Sequence, residues 1–253
     1  MKCVFNGFNL GFKASITDKE IDKFKDAQQH YSDCYIMTTL ESLSHNENGR
    51  KLLKTQIEHD DNNENLINCY LYKPSGERVK YTVPTKTAVA GYEKLYDAQD
   101  NEIIRSVDIS VGEYENKYKA KPWICRFTDN FKTYSFENNL PSHFMKVFTG
   151  IEPTINIAET DINVDLEDYK DEVMELFERM DKEKDHSILI GTGVKQLDGR
   201  TFHVYILEDV NLEDGTITVK NKRGNKTRTM SIEKALNTFK YIVGYFNSDL
   251  KTD

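Results

Sequence analysis

Residues 28–43 read QQHYSDCYIMTTLESL, and the position of one cysteine in this stretch decides how the rest of the chain is read. Ser32 and Asp33 are helix-capping residue types, and Ile36, Leu40 and Leu43 follow them at i, i+4, i+7 spacing. Cys34 therefore falls in the first turn of a helix with a buried face. A thiol attacks a carbonyl only as its thiolate, and a free pKa of about 8.5 leaves few thiolates at neutral pH. A helix N-terminus supplies part of the missing stabilisation through its partial positive charge and free N–H groups. Gln28 lies six positions earlier. There its amide would sit beside the helix start and form, with the Cys34 N–H, a donor pair for a developing oxyanion.

Upstream, Thr17 with Glu20 forms a capping box, and Ile21 and Phe24 continue a short helix to about Gln28. Downstream, 45–49 breaks the helical pattern, 51–57 reads as another short helix, and HDDNNEN after it reads as a polar loop. Ile67, Cys69 and Leu71 then face Val79, Tyr81 and Val83 across Lys73-Pro74-Ser75-Gly76, the pattern of a hairpin. Helical spacing returns at Val107, Val111, Tyr114 and Tyr118 and again over 142–148, where Gly150 closes the helix. A helix over about 168–184 carries Val173, Leu176, Phe177 and Met180 on one face. Strand-like runs follow at 186–194, 201–210 and 216–221, their turns holding Asp198-Gly199 and Asp214-Gly215, so they are expected to be sequential and antiparallel. Ser231 caps a helix through Phe239, and 241–246 is a last strand. The expected class is α+β: a helical lobe over 1–150 that carries the cysteine, and a sheet lobe over 151–253, with the boundary at Ile151-Glu152-Pro153-Thr154.

The second half supplies the partners that a nucleophilic cysteine needs. His203 lies in the run Phe202-His203-Val204-Tyr205-Ile206, and Asn221 ends the next strand, 18 positions later. An imidazole there can accept the thiol proton, and an asparagine oxygen can fix its tautomer. Gln, Cys at a helix start, a distant His and then Asn is the chain order of the papain-type arrangement. His30, in the same turn as Cys34, is the alternative base, but so near a residue would rarely aim its ring across a cleft.

Residues 28–43 resemble the calpain active-site segment, whose pattern is Gln, five residues, then Cys within Gly-Asp-Cys-Trp, on a helix ending Ser-Leu. Phe202-His203-Val204-Tyr205 resembles that family's Gly-His-Ala-Tyr strand, and Val219 to Gly224 its Arg-Asn-Pro-Trp-Gly segment. Tyr114 to Tyr118 and Phe148-Thr149-Gly150 are similar, more weakly, to the helix and Thr-Gly turn between those motifs. The resemblance implies a papain-like fold and hydrolysis of peptide bonds in a protein or peptide substrate. Cys34 would be the nucleophile, His203 the base, Asn221 its orienting residue and Gln28 the oxyanion donor, with calcium as a lobe-aligning ion. Ser32 stands where the family has Gly and Tyr35 where it has Trp. Lys222-Arg223 replaces a Pro-Trp pair whose indole shields the Asn–His contact, so that contact is expected to be more solvated and weaker here.

Composition narrows the alternatives. The 253 residues carry 34 basic and 42 acidic side chains interspersed along the chain, which offers no basic field for nucleic acid. The basic run Lys220 to Arg228 reads as a solvated turn between strand and helix. No stretch approaches the roughly 20 apolar residues of a membrane span. The start, MKCVFNGFNLGFKAS, shows no export signal, so a soluble cytoplasmic protein is expected. Cys3, Cys34, Cys69 and Cys125 form no CxxC pair, which argues against a zinc ribbon and favours free thiols. No EF-hand, phosphate loop, HExxH or GxSxG is present, no cofactor is required, and the acidic stretches at 60–61 and 161–171 read as solvated faces. Two further functions stay open on the same residues: deamidation or acyl transfer through a thioester, and an adaptor that keeps the fold with little catalysis.

Overall fold

The computed structural model describes residues 15–29, 33–85, 101–118, 140–159, 164–193, 197 and 202–250. Among them the chain is mixed α and β, with two antiparallel sheets.

The first half is built round α2 (Cys34–Ser44), which α1 (Asp18–Asp22) precedes and α3 (Glu47–Gln56) follows. The Thr17/Glu20 capping box starts α1, but the α-helix ends at Asp22 and gives way to a 3-10 turn over Lys23–Lys25. Every residue of α2 is buried, its polar ones included. This is tolerated because the hydroxyls of Thr38, Thr39 and Ser44 donate to carbonyls of their own helix, at 2.5, 2.7 and 2.6 Å. The break after α2 is shorter than the sequence suggests. Asn46 caps α3 at once, accepting from the Gly49 N–H at 2.5 Å, and its Nδ2 donates to Ser187 Oγ.

The polar stretch read as a loop is instead a hairpin of β1 (Ile57–Asp60) and β2 (Asn63–Tyr72), and β2 pairs with β3 (Arg78–Pro84). In that second pairing Ile67 faces Val83, Cys69 faces Tyr81 and Leu71 faces Val79, the expected register. Helix α4 (Glu102–Tyr118) begins a turn and a half before the position read from periodicity, and α5 (Pro141–Thr149) ends on Gly150 at φ 75°. A Cβ on Gly150 would come within 2.8 Å of the Tyr72 ring, so both the turn and the packing require glycine.

The second sheet has the order β4-β9-β5-β6-β7-β8: β4 is Ile155–Ile157, β5 His186–Gly191, β6 Val204–Asn211, β7 Thr216–Asn221, β8 Lys226–Ser231 and β9 Tyr241–Phe246. The run of sequential strands β5, β6 and β7 is as expected. The last of the strands, β9, is inserted between β4 and β5, and β8 is a strand where the sequence suggested a solvated turn. Alternate residues of β5, β6 and β9 serve two cores. Leu189, Val204, Ile206, Val243 and Tyr245 join the core that holds α2; Ile188, Ile190, Tyr205, Leu207 and Ile242 join the one that holds α6 (Lys170–Lys182) and α7 (Ile232–Thr238). Ser231 Oγ caps α7 by accepting from the Lys234 N–H. Among the described residues no helix is long and apolar enough to cross a membrane.

Candidate active site

Helix α2 packs against β5 and β6, and this brings Cys34, its first residue, to the start of β6. Asp33 occupies the cap position, but its carboxylate does not accept from the helix; Ser32 and His30 lie outside the described residues. The Cys34 sulfur accepts a hydrogen bond from the backbone N–H of Val204, the residue that follows His203. Backbone N–H groups of Tyr35 and Cys34 itself also favour the thiolate. Burial outweighs all three and, with the Asp33 carboxylate nearby adding repulsion, pushes the thiol up to about 12. The helix start alone therefore does not ionise Cys34.

His203 is held at the mouth of β6 by its backbone. Its N–H donates to Thr192 Oγ1 at 3.1 Å, and its carbonyl accepts from the Thr192 N–H at 2.8 Å. Phe202 before it has φ 48°, a left-handed conformation that costs a non-glycine residue energy, and its ring is exposed. The imidazole Nε2 lies 2.8 Å from Asn221 Oδ1, at the end of β7. That same oxygen accepts from the Arg223 N–H at 2.9 Å, which identifies it as the amide oxygen. Nε2 must then carry the hydrogen, and in the neutral ring Nδ1 is the basic nitrogen. Tyr205 meets the ring edge-on at 4.9 Å.

The Asn–His contact was expected to be wet without an indole above it. His203 and Asn221 are instead 5% and 6% exposed. Lys222, which follows Asn221, turns inward and is fully buried against the Glu41 carboxylate of α2. The basic run is thus not all solvated turn. Glu41 is the residue that sequence reasoning passed over, although the one charged side chain of a helix with a buried face signals a buried cation.

No protein-family model matches the chain, and no curated protein matches it in sequence.

The glutamine pair is divided by the fold. Gln28 is exposed, whereas Gln29 is 6% exposed and its N–H donates to the Lys222 carbonyl at 3.2 Å, which ties the segment before the nucleophile to the residue after Asn221. Cys34 and Cys69 are free thiols; Cys3 and Cys125 lie outside the described residues. Among the described residues no three or more His, Cys, Asp or Glu side chains come together in a set that would hold a metal ion. A cavity of about 220 Å³, lined by Tyr72, Lys73, Tyr114, His143 and Lys146 among others, contains none of Cys34, His203 and Asn221.

Proposed function

We propose that the chain is a thiol hydrolase of papain-like, calpain-like architecture that cleaves peptide bonds. One observation carries the reading. The Cys34 sulfur is bonded to the backbone of the residue beside His203, whose ring is oriented by Asn221. A thiol, a basic nitrogen and a tautomer-fixing amide within one buried cluster make up the parts list of nucleophilic acyl transfer.

In this reading the Cys34 S–H proton passes to His203 Nδ1 as the sulfur bonds to the substrate carbonyl carbon. The resulting oxyanion is stabilised by the Cys34 N–H and a glutamine amide, from Gln28 as the sequence spacing suggests or from the buried Gln29. The imidazolium returns its proton to the departing amine as the C–N bond breaks, leaving a thioester on Cys34. Water then attacks the thioester, His203 takes a proton from it, and this proton goes back to the sulfur. Because the resting thiol is strongly protonated, transfer to His203 is the step that makes the nucleophile. Iodoacetamide or an epoxysuccinyl probe is expected to label Cys34 in preference to Cys69. Proteolytic activity that survives Cys34→Ala, or labelling at another thiol, overturns the mechanism.

The second reading, an adaptor with little catalysis, draws on the height of the Cys34 thiol and on its 7% exposure. It predicts a Cys34 alkylation rate with no inflection below pH 8. An inflection near neutrality, with and without added calcium, supports the hydrolase.

A further inference from the structure

The turn that follows Asn221 carries a lysine with no solvent exposure. Lys222 Nζ donates to the carbonyls of Phe24 at 2.9 Å and Lys25 at 3.2 Å, and forms an ion pair with Glu41. Glu41 is 1% exposed and lies two turns along α2 from Cys34. Its other oxygen meets Lys220 Nζ at 2.5 Å and His45 Nε2 at 3.6 Å. The Lys222 carbonyl meanwhile accepts from the Gln29 N–H. One residue thus binds the nucleophile helix, the 24–29 segment and the strand end that presents Asn221.

Taking both charges out of water is costly, and a buried ion pair seldom stabilises a fold more than apolar residues of the same volume would. Burial pushes the Glu41 carboxyl up, but the His45 hydrogen bond and the Lys222 charge bring it below the ordinary glutamate range. The geometry supplies a reason for the pair. Asn221 Oδ1 takes its direction from the Arg223 N–H, and Arg223 follows Lys222 directly, so whatever anchors Lys222 also aims the acceptor that faces His203.

Resting on the hydrolase reading above, we infer that Lys222 is a positioning residue: through Glu41 and the carbonyls of Phe24 and Lys25 it holds the 221–223 turn against α2, and so sets the hydrogen bond from His203 to Asn221.

Removing Lys222 alone leaves one Glu41 oxygen in the core without its cation, so the test uses two variants that avoid this: the apolar pair Lys222→Met/Glu41→Leu, and Glu41→Gln, which keeps the shape. The His203 ring is followed by NMR titration of histidine-labelled full-length protein, with Asn221→Ala as the reference for a lost acceptor, and Cys34 alkylation by iodoacetamide is measured against pH. In both variants the His203 signals are expected to move toward those of Asn221→Ala, with Cys34 alkylation at pH 7 slowed about ten-fold. A pair that serves stability alone predicts a changed urea midpoint with a wild-type His203 titration, and that result overturns the proposal. If wild-type Cys34 shows no inflection below pH 8, the hydrolase reading falls, while the His203 signals still decide the role of Lys222.

Discussion

Phe202 and Asn221 show how single residues load this site. Phe202 keeps a left-handed backbone immediately before His203 although nothing in a phenylalanine favours it. Phe202→Gly is expected to raise stability by about 1 kcal/mol, seen as a higher urea midpoint, because glycine adopts that conformation without a Cβ clash. An unchanged or lower midpoint would show that the ring offsets the strain. Asn221→Ala removes the acceptor of both the His203 ring and the Arg223 N–H. It is expected to lower the rate of substrate turnover or Cys34 alkylation roughly 10- to 100-fold, with the larger share in kcat where a substrate is in hand. Cys34, His203 and Asn221 were singled out because nucleophilic acyl transfer uses those residue types and the resembling family has them in that chain order, and the fold brings them to neighbouring strand and helix ends. Lys222 was not, because it sits in a basic run, and burial of one lysine among exposed ones leaves no compositional trace.

Among the elements, legibility followed exposure. The β2–β3 register could be read because Ile67, Cys69 and Leu71 alternate with polar residues. Strands β1 and β8 could not, since they lie at sheet edges and are held mainly by backbone pairing; β8 buries only Met230 and sets charges along its edge. Helix α2 was read from Ile36, Leu40 and Leu43, and its burial extends further than that stripe: Thr38, Thr39 and Ser44 are buried too, satisfied by their own backbone. The joint between α2 and α3 is the sharpest test of element packing. Asn46 both caps α3 and bonds Ser187 of β5, which in turn donates to the Ser42 carbonyl at 3.0 Å. Asn46→Ala is therefore expected to cost about 2–3 kcal/mol in urea unfolding, more than an exposed cap would. A loss under about 1 kcal/mol would mean that the buried bridge is dispensable.

At the scale of the whole molecule, a histidine outside the site is expected to contribute to acid sensitivity. His186 opens β5 against Phe246, and its Nε2 is buried without a hydrogen-bond partner among the described residues. Burial, reinforced by the Lys184 charge, pulls it down to about 4, while Asp209 acts the other way. The folded state therefore prefers the neutral ring. Its contribution is complete above the unfolded value of about 6.5 and is lost as pH falls from there toward 4, reaching about 3 kcal/mol. Glu115 and Glu159, pushed up by burial, contribute with the opposite sign, since each is more readily protonated folded than unfolded. The His186 contribution is thus read as a difference. Between pH 7 and 4.5 the urea midpoint of His186→Phe should fall less than that of wild type, and parallel curves would contradict the assignment.

The threading of β9 between β4 and β5 bears on how the protein is born. Residues 186–221 can leave the ribosome and pair among themselves, but the sheet that presents His203 lacks the strand between β4 and β5 until residue 246 has emerged. A nascent chain therefore completes helix α2 long before the sheet that covers it is whole, since Val243 and Tyr245 of β9 belong to the same core.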